Sequence, residues 1–303
     1  MSQYHANITA ESLNGKGILI TGGANGIGAS LVEICCEMGA YVCFGDISTE
    51  AGEQLAQKCC SSDKGETPRA VFRQTNVADY ASVLALFDTA LNTYGRIDHA
   101  VAAAGVGETG SWFDPSLNME NIREVPSTRT LDVNLLGCLY FSRIASVYLR
   151  QNRPSNADRS IILFSSVAGF KESPGIFVYQ ASKHGILGLM RSLRLYISSP
   201  NNQNIRINAV CPWMTVTYLT RGIKDAWFKA GLPANTPLDV AKVTAGMICD
   251  TTLNGKSMYM EGGRAWEIED NLDRLEPQWL GEEPSKSLAE GQVVLGDGSG
   301  WSR

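Results

Sequence analysis

The chain has 303 residues, 44% hydrophobic and 19% charged, enough apolar material for a large core, which excludes wholesale disorder. Its 26 Lys and Arg against 31 Asp and Glu give a net charge of −5. With no basic patch anywhere, that excludes a nucleic-acid binder, because a mildly acidic surface repels phosphate backbones. Thirty glycines are many for this length, and glycine belongs where backbone turns sharply or meets a ligand closely.

The N-terminal segment, residues 1–15, is polar and lacks the basic start and apolar run of a secretory signal. No run of about 18 apolar residues occurs anywhere, so no membrane span is expected. Among the eight cysteines, Cys35–Cys36 and Cys59–Cys60 are adjacent pairs and no C-x-x-C spacing occurs. Neighbouring cysteines rarely bridge each other, so a reducing cytoplasm fits and no metal is expected. His99 and His184 have no ligand spacing either and read as structural.

From residue 16 to 263 short apolar runs alternate with helical patterns. The predicted strands are Gly17–Thr21, Tyr41–Asp46, Ala70–Asn76, Ile97–Ala102, Ser160–Ser165, Ile205–Cys211 and Ser257–Met260. Most are continuously apolar, which marks strands covered on both faces of a parallel sheet. The predicted helices are Gly26–Met38, Glu50–Cys60, Tyr80–Tyr94, Ser127–Arg150, Tyr179–Ser198 and Leu238–Cys249. Alternation repeated this often predicts a single doubly wound α/β domain, a three-layer Rossmann-type sandwich.

Chemistry begins directly after the first strand. Thr21-Gly22-Gly23-Ala24-Asn25-Gly26-Ile27-Gly28 joins that strand to the first helix. Small residues there let backbone lie against a pyrophosphate at the helix N-terminus. Asp46 ends the second strand, 18 residues past Gly28, where a carboxylate can bond the adenosine ribose and repel a 2′-phosphate. Ile47 follows, not Arg, and Asn25 is not basic, so NAD is favoured over NADP. Further on, Tyr179 and Lys183 stand at i and i+4 on one helix face. An ammonium beside a phenol favours the phenolate, which makes Tyr179 a candidate base. Ser166, 13 residues upstream of Tyr179, follows the end of a strand, where parallel sheets place ligands.

On these residues the chain resembles the NAD(P)-dependent short-chain dehydrogenase/reductase family over Lys16–Gly263. Thr21–Gly28 matches its Thr-Gly-x-x-x-Gly-x-Gly pattern, Ser166 its serine, and Tyr179 and Lys183 its Tyr-x-x-x-Lys. The resemblance further implies that Asn134 anchors a proton-relaying water. It implies that Asn76 and Val77 contact adenine, and that Ala103, Gly105, Pro212, Thr215 and Thr217 lie along the cofactor. Tyr179 would then exchange the substrate hydroxyl proton, Ser166 would hold the substrate oxygen, and Lys183 would hold the nicotinamide ribose.

Three positions depart from the family. Ala102-Ala103-Ala104-Gly105 replaces Asn-Asn-Ala-Gly, Asn76 replaces the commoner Asp, and Pro212-Trp213 replaces Pro-Gly. Trp cannot take glycine-only backbone angles cheaply, so either the loop runs differently or Trp213 walls the substrate pocket. Other pocket candidates are Phe170, Phe177, Tyr218 and Trp227, with Trp112, Phe113 and Phe228 in the same variable segments. So many aromatics favour a small-molecule substrate that is a bulky apolar alcohol or ketone.

The chain is also similar to fungal members of polyketide and terpenoid pathways. The expected activity is NAD-dependent alcohol oxidation. The alternatives are an NADPH-dependent ketoreductase, a non-redox isomerase or dehydratase on the same fold, or a cofactor-binding scaffold without chemistry. A homodimer or homotetramer is expected, joined through the wide apolar faces of Ser127–Arg150 and Tyr179–Ser198, as in the family. The recognised pattern closes at Gly263. Residues 264–303 form an acidic extension with Trp266, Trp279 and Trp301, expected to dock on the domain or a neighbouring subunit near Thr217–Pro233, either as simple packing or as a flap over the cleft.

Overall fold

A computed structural model describes residues 3–9, 11–61, 67–198, 204–296 and 298. Its strands are β1 (Gln3–Tyr4), β2 (Gly17–Thr21), β3 (Tyr41–Asp46), β4 (Ala70–Gln74), β5 (His99–Ala102), β6 (Ser160–Phe164), β7 (Arg206–Pro212), β8 (Ser257–Glu261) and β9 (Arg264–Glu267). They form one sheet in the order β1-β9-β8-β7-β6-β5-β2-β3-β4. Strands β2 to β8 run parallel to one another, whereas β9 is antiparallel to both β8 and β1. The strand order reverses between β2 and β5, and the crevice at such a switch point is where a doubly wound sheet binds its ligand.

The helices are α1 (Gly26–Glu37), α2 (Thr49–Cys60), α3 (Tyr80–Tyr94), α4 (Arg129–Leu131), α5 (Gly137–Tyr148), α6 (Phe177–Tyr196), α7 (Lys224–Lys229), α8 (Pro237–Cys249), α9 (Glu269–Leu280) and α10 (Glu282–Leu295). Helices α1, α2 and α8 cover one face of the sheet, around Ile18, Phe44, Val210 and Met258. Helices α3, α5 and α6 cover the other, around Leu19, Phe87, Ile161 and Met190. The start and stop of these helices follow local chemistry. Asp79 caps α3 by accepting from the Ala81 amide, and Gly95, at φ +72°, ends it in a left-handed turn. Thr236, Pro237 and Asp239 open α8 with a reciprocal capping box.

Several sequence expectations need correction. The third strand stops at Gln74, so Asn76 lies in a turn, and β5 begins at His99, not Ile97. The expected helix Ser127–Arg150 is α4, a single π turn at Asp132–Leu136, and then α5. The sheet does not end at Gly263. Gly262 and Gly263, both at positive φ, turn β8 back into β9, which then pairs with β1 from the N-terminal segment. The extension beyond β9 is two helices, α9 and α10. Buried Glu269 at the start of α9 accepts from Arg191 and Arg194 of α6, and Lys256 pairs with Asp270. The extension thus turns toward α6. Trp266 stacks on Tyr259, Trp279 is 66% exposed, and Trp301 lies outside the described residues.

Candidate active site

The glycine loop between β2 and α1 is shaped by contacts that leave no room for a side chain. Gly22 has φ +70°, and a Cβ there would stand 2.6 Å from the Ala104 backbone. A Cβ on Gly28 would stand 1.9 Å from the Gly22 carbonyl oxygen, a clash that only backbone movement could relieve. Asn25 precedes α1 in extended conformation and caps none of its amides. Those amides point out of the helix start, and with Asn25 and Gly26 exposed and Ile27 half-buried they form a cradle for an anion. Gly26 faces the Thr217 side chain, whose methyl would lie 3.6 Å from an added Cβ. The loop after β7 therefore closes the crevice from the opposite side.

Asp46 is held at the lip of this cradle. Its Oδ2 accepts from the Ala24 amide at 3.1 Å and its Oδ1 from the Ser48 amide at 3.0 Å. Ile47 beside it is 59% exposed. Asn76 accepts from the Ala78 amide at 3.1 Å, and Val77 behind it is buried against Gly137. A glycine cradle, an uncapped helix start and an acid at the end of the second strand together fit a dinucleotide.

Around the switch point the remaining side chains converge. The π turn directs buried Asn134 toward the loop after β5: its Oδ1 accepts from the Val106 amide at 2.8 Å, and its Nδ2 donates to the Val106 carbonyl at 2.9 Å and to Ser182 Oγ at 3.2 Å. Such π turns often mark functional positions. Lys183 is buried, and its Nζ donates to the Phe164 carbonyl at 2.9 Å and lies 5.5 Å from the centre of the Tyr179 ring. Gly105 faces both groups: a Cβ there would stand 3.4 Å from Asn134 Oδ1 and 3.7 Å from Lys183 Nζ. Ser166 starts the 3-10 turn Val167–Gly169, accepting from the Ala168 amide at 3.2 Å while its hydroxyl reaches the Pro212 carbonyl at 3.5 Å. Ala103 leaves β5 by donating its amide to the Thr21 carbonyl, and its own methyl can make no hydrogen bond to brace that turn.

Trp213 stays out of the left-handed region, where the only non-glycine residues among those described are Asn152 and Asn204. The loop therefore accepts tryptophan without glycine's conformation, and the ring stands edge-on to Trp227, with centroids 5.1 Å apart. Thr215 is pinned by Asn235, whose buried side chain also donates to Met260 and accepts from Gly263. Asn235 thus ties the loop after β7 to the β8–β9 hairpin. Phe170 and Trp213 line a cavity of about 590 Å³ with Val167, Tyr259, Trp266 and Ile268, and Lys171 and Glu261 are its charged members. Two aromatic candidates stand away from this cavity. Phe177 is 48% exposed and meets Phe113 edge-on, and Tyr218 is 77% exposed beneath Arg221. Trp227 reaches the cavity only through Trp213.

Three contributors, Glu108, Asn235 and Tyr259, were not singled out from sequence, and Trp266 was noted only as part of the extension. Glu108 and Asn235 are lone polar residues in irregular loops, with no spacing to betray them. Tyr259 and Trp266 do have a signal: Gly262-Gly263 between two short runs is a hairpin turn, and it places these rings on one sheet face. Among the described residues no three His, Cys, Asp or Glu side chains group to hold a metal ion, and no helix is long and apolar enough to cross a membrane.

Comparison with known proteins agrees with this geometry. A family model described as short chain dehydrogenase matches residues 16–226. The 5'-hydroxyaverantin dehydrogenase of Dothistroma septosporum is 29% identical over 93% of this chain and 95% of its own length. The NAD(+)-named 15-hydroxyprostaglandin dehydrogenase of Macaca fascicularis is 32% identical over 70% of this chain and 73% of its own. A 3-ketoacyl-(acyl-carrier-protein) reductase structure from Brucella melitensis, complexed with NADH, superposes with a TM-score of 0.70 at 22% identity, covering 83% of this chain and 98% of that one.

Proposed function

Because the chain belongs to the short-chain dehydrogenase family, we propose that it is an NAD-dependent oxidoreductase that oxidises a secondary alcohol to the ketone on a bulky apolar molecule. The observation that carries this reading is the buried Lys183 ammonium, 5.5 Å from the Tyr179 ring and sharing the Gly105 surface with Asn134. A phenol beside a fixed ammonium is equipped to take a proton.

In this reading Tyr179 removes the hydroxyl proton and Ser166 donates a hydrogen bond to the substrate oxygen as its charge changes. Lys183 holds the nicotinamide ribose and favours the phenolate, and Asn134 fixes the loop and a relaying water. When bound, the nicotinamide supplies the hydride chemistry. The α1 start would hold the pyrophosphate and Asp46 the adenosine ribose, with the carboxylate opposing a 2′-phosphate. The dehydrogenase named for NAD(+) among the relatives supports the same cofactor.

The aromatic cavity, lined by Val167 and Trp213, the residues that follow Ser166 and Pro212 in the chain, supports a large apolar substrate, since its volume lies within the range of small-molecule sites. The likeness to 5'-hydroxyaverantin dehydrogenase supports a role in fungal secondary metabolism. The same reading includes self-association through α5 and α6, where Leu139, Val147 and Leu195 stand exposed, and light scattering should give a species larger than one chain.

The test is NAD reduction with a panel of bulky secondary alcohols. Tyr179→Phe should cut turnover at least about a hundredfold while keeping NAD affinity, as expected for loss of a positioned base. Substantial dehydrogenase activity in that variant would refute the assignment.

A further inference from the structure

We infer that Glu108 is a positioning residue: it holds the first turn of α6, and with it Tyr179, in the geometry the reaction needs. The inference rests on the reading of Tyr179 as the base.

Helix α6 starts without a cap of its own. Pro174, Gly175 and Ile176 precede it, and Ile176 offers no side-chain acceptor. The first amides of a helix have no partner within it. Here the acceptor comes from 70 residues earlier in the chain. Glu108 Oε1 accepts from the Val178 amide at 3.1 Å and Oε2 from the Tyr179 amide at 2.7 Å. A carboxylate suits this place twice over: charge-assisted hydrogen bonds are strong, and the positive end of the helix dipole attracts an anion.

The carboxylate is itself braced. Its loop is fixed on one side by Asn134, which engages both the amide and the carbonyl of Val106. The Gly107 carbonyl accepts from Thr130 Oγ1 at 2.9 Å, and Thr109 and Thr130 share a hydroxyl bond at 2.8 Å. Glu108 therefore works as a strut between the Asn134 loop and the Tyr179 helix.

The geometry separates its effect on Tyr179 from any effect on Lys183. Tyr179 is the third residue of α6, and its own amide is one of the two that Glu108 takes. Lys183 lies a turn further on and has independent anchors, its Nζ on Phe164 and its carbonyl on Ser165 Oγ at 2.9 Å. Losing the strut frees the base and leaves the ammonium in place.

Full-length Glu108→Ala and Glu108→Gln decide the matter. In the Ala variant, amide exchange at residues 178 and 179 should quicken while exchange at 186–190 holds. Its kcat for a bulky secondary alcohol should fall about ten- to a hundredfold, the scale of a misplacement near 1 Å, with KM and the Kd for NAD unchanged. Gln, which keeps an acceptor, should restore part of both losses. Unchanged exchange at 178 and 179 would overturn the proposal. So would a raised KM with kcat kept, which marks a substrate contact, or a Gln variant as impaired as Ala, which marks charge alone. If the wild type reduces NAD with no alcohol, the functional reading fails, and the exchange measurement still decides whether Glu108 holds the turn.

Discussion

The two ends of the sheet are built by different means. At the β2–β3–β4 side the structure comes from short-range rules: a buried strand, a glycine loop, a helix, and a second strand ending in Asp46. At the β8–β9–β1 side it comes from partners far apart in sequence. Glu269 meets Arg191 and Arg194, Asn235 joins residues 214–215 to 260–263, and Trp266 stacks on Tyr259. A region that recognises a constant group, such as the phosphates of a cofactor, can be specified by backbone alone. In the proposed reading the second region meets a variable molecule; it is furnished with side chains, and its scaffold is assembled from wherever the chain supplies it.

That division can be broken most severely at Gly28. Alanine there puts a Cβ against the Gly22 carbonyl, so Gly28→Ala should lower NAD affinity by about ten- to a hundredfold, since displaced backbone in a packed site costs ~1–3 kcal/mol. Calorimetric titration measures it, and the cavity at the other end should be unaffected. The next effect belongs to the far end. Truncation after Gly263 removes β9 and Trp266; it should raise KM for a bulky alcohol and lower Tm by several degrees, about the shift expected from ~2 kcal/mol in a chain this size. Truncation after Ile268 keeps both, so its KM should stay near wild type, and neither cut should change the Kd for NAD. Equal kinetic effects from the two truncations would show that the hairpin does not wall the substrate.

Asp46→Ala should be milder. It should erase a preference for NAD over NADP of about tenfold, the worth of ~1.4 kcal/mol; equal binding of both cofactors by the wild type would remove the basis for Asp46 as selector. The smallest effect concerns His99, on β5 between the two regions. Burial pushes its imidazole down to about 4, against the pull of Asp158 and Asp98. The unfolded chain therefore binds a proton between about pH 6.5 and 4 that the folded chain refuses. Stability is full above this window and falls as pH drops through it. His99→Asn, with no group to titrate, should flatten that part of a pH–denaturation series and leave stability above pH 7 little changed.

How legible each region was follows from the same division. The limits of β2, β3 and α3 match the sequence expectation residue for residue, because an unbroken apolar run and an Asp or Gly at a helix end act locally. Around the candidate site, Tyr179, Lys183, Ser166 and Asp46 were singled out from spacing and strand-end position, and Asn134 only through resemblance. Its π turn depends on packing that periodicity does not register. The fold was misread where one contact reaches across the chain. Gln3–Tyr4 has no strand character of its own and becomes a strand by pairing with Ala265 and Trp266. Phe177 and Tyr218 show the converse: their segments suit a pocket wall, yet their rings are exposed and do not line the aromatic cavity.

The pairing of β1 with β9 has a consequence for how the protein is made. Gln3 pairs with Trp266, 263 positions later in the chain. The earliest described strand thus lies at the very margin of the sheet, and the parallel strands β2 to β8 intervene between it and its partner in sequence. Contacts this distant in sequence form slowly, and sheet edges left open meanwhile invite association with other chains. During synthesis the open margin is β8, which stays bare until the Gly262–Gly263 turn emerges and folds β9 back over it. The hairpin covers β8 without β1, and β1 adds the outermost strand by pairing with β9.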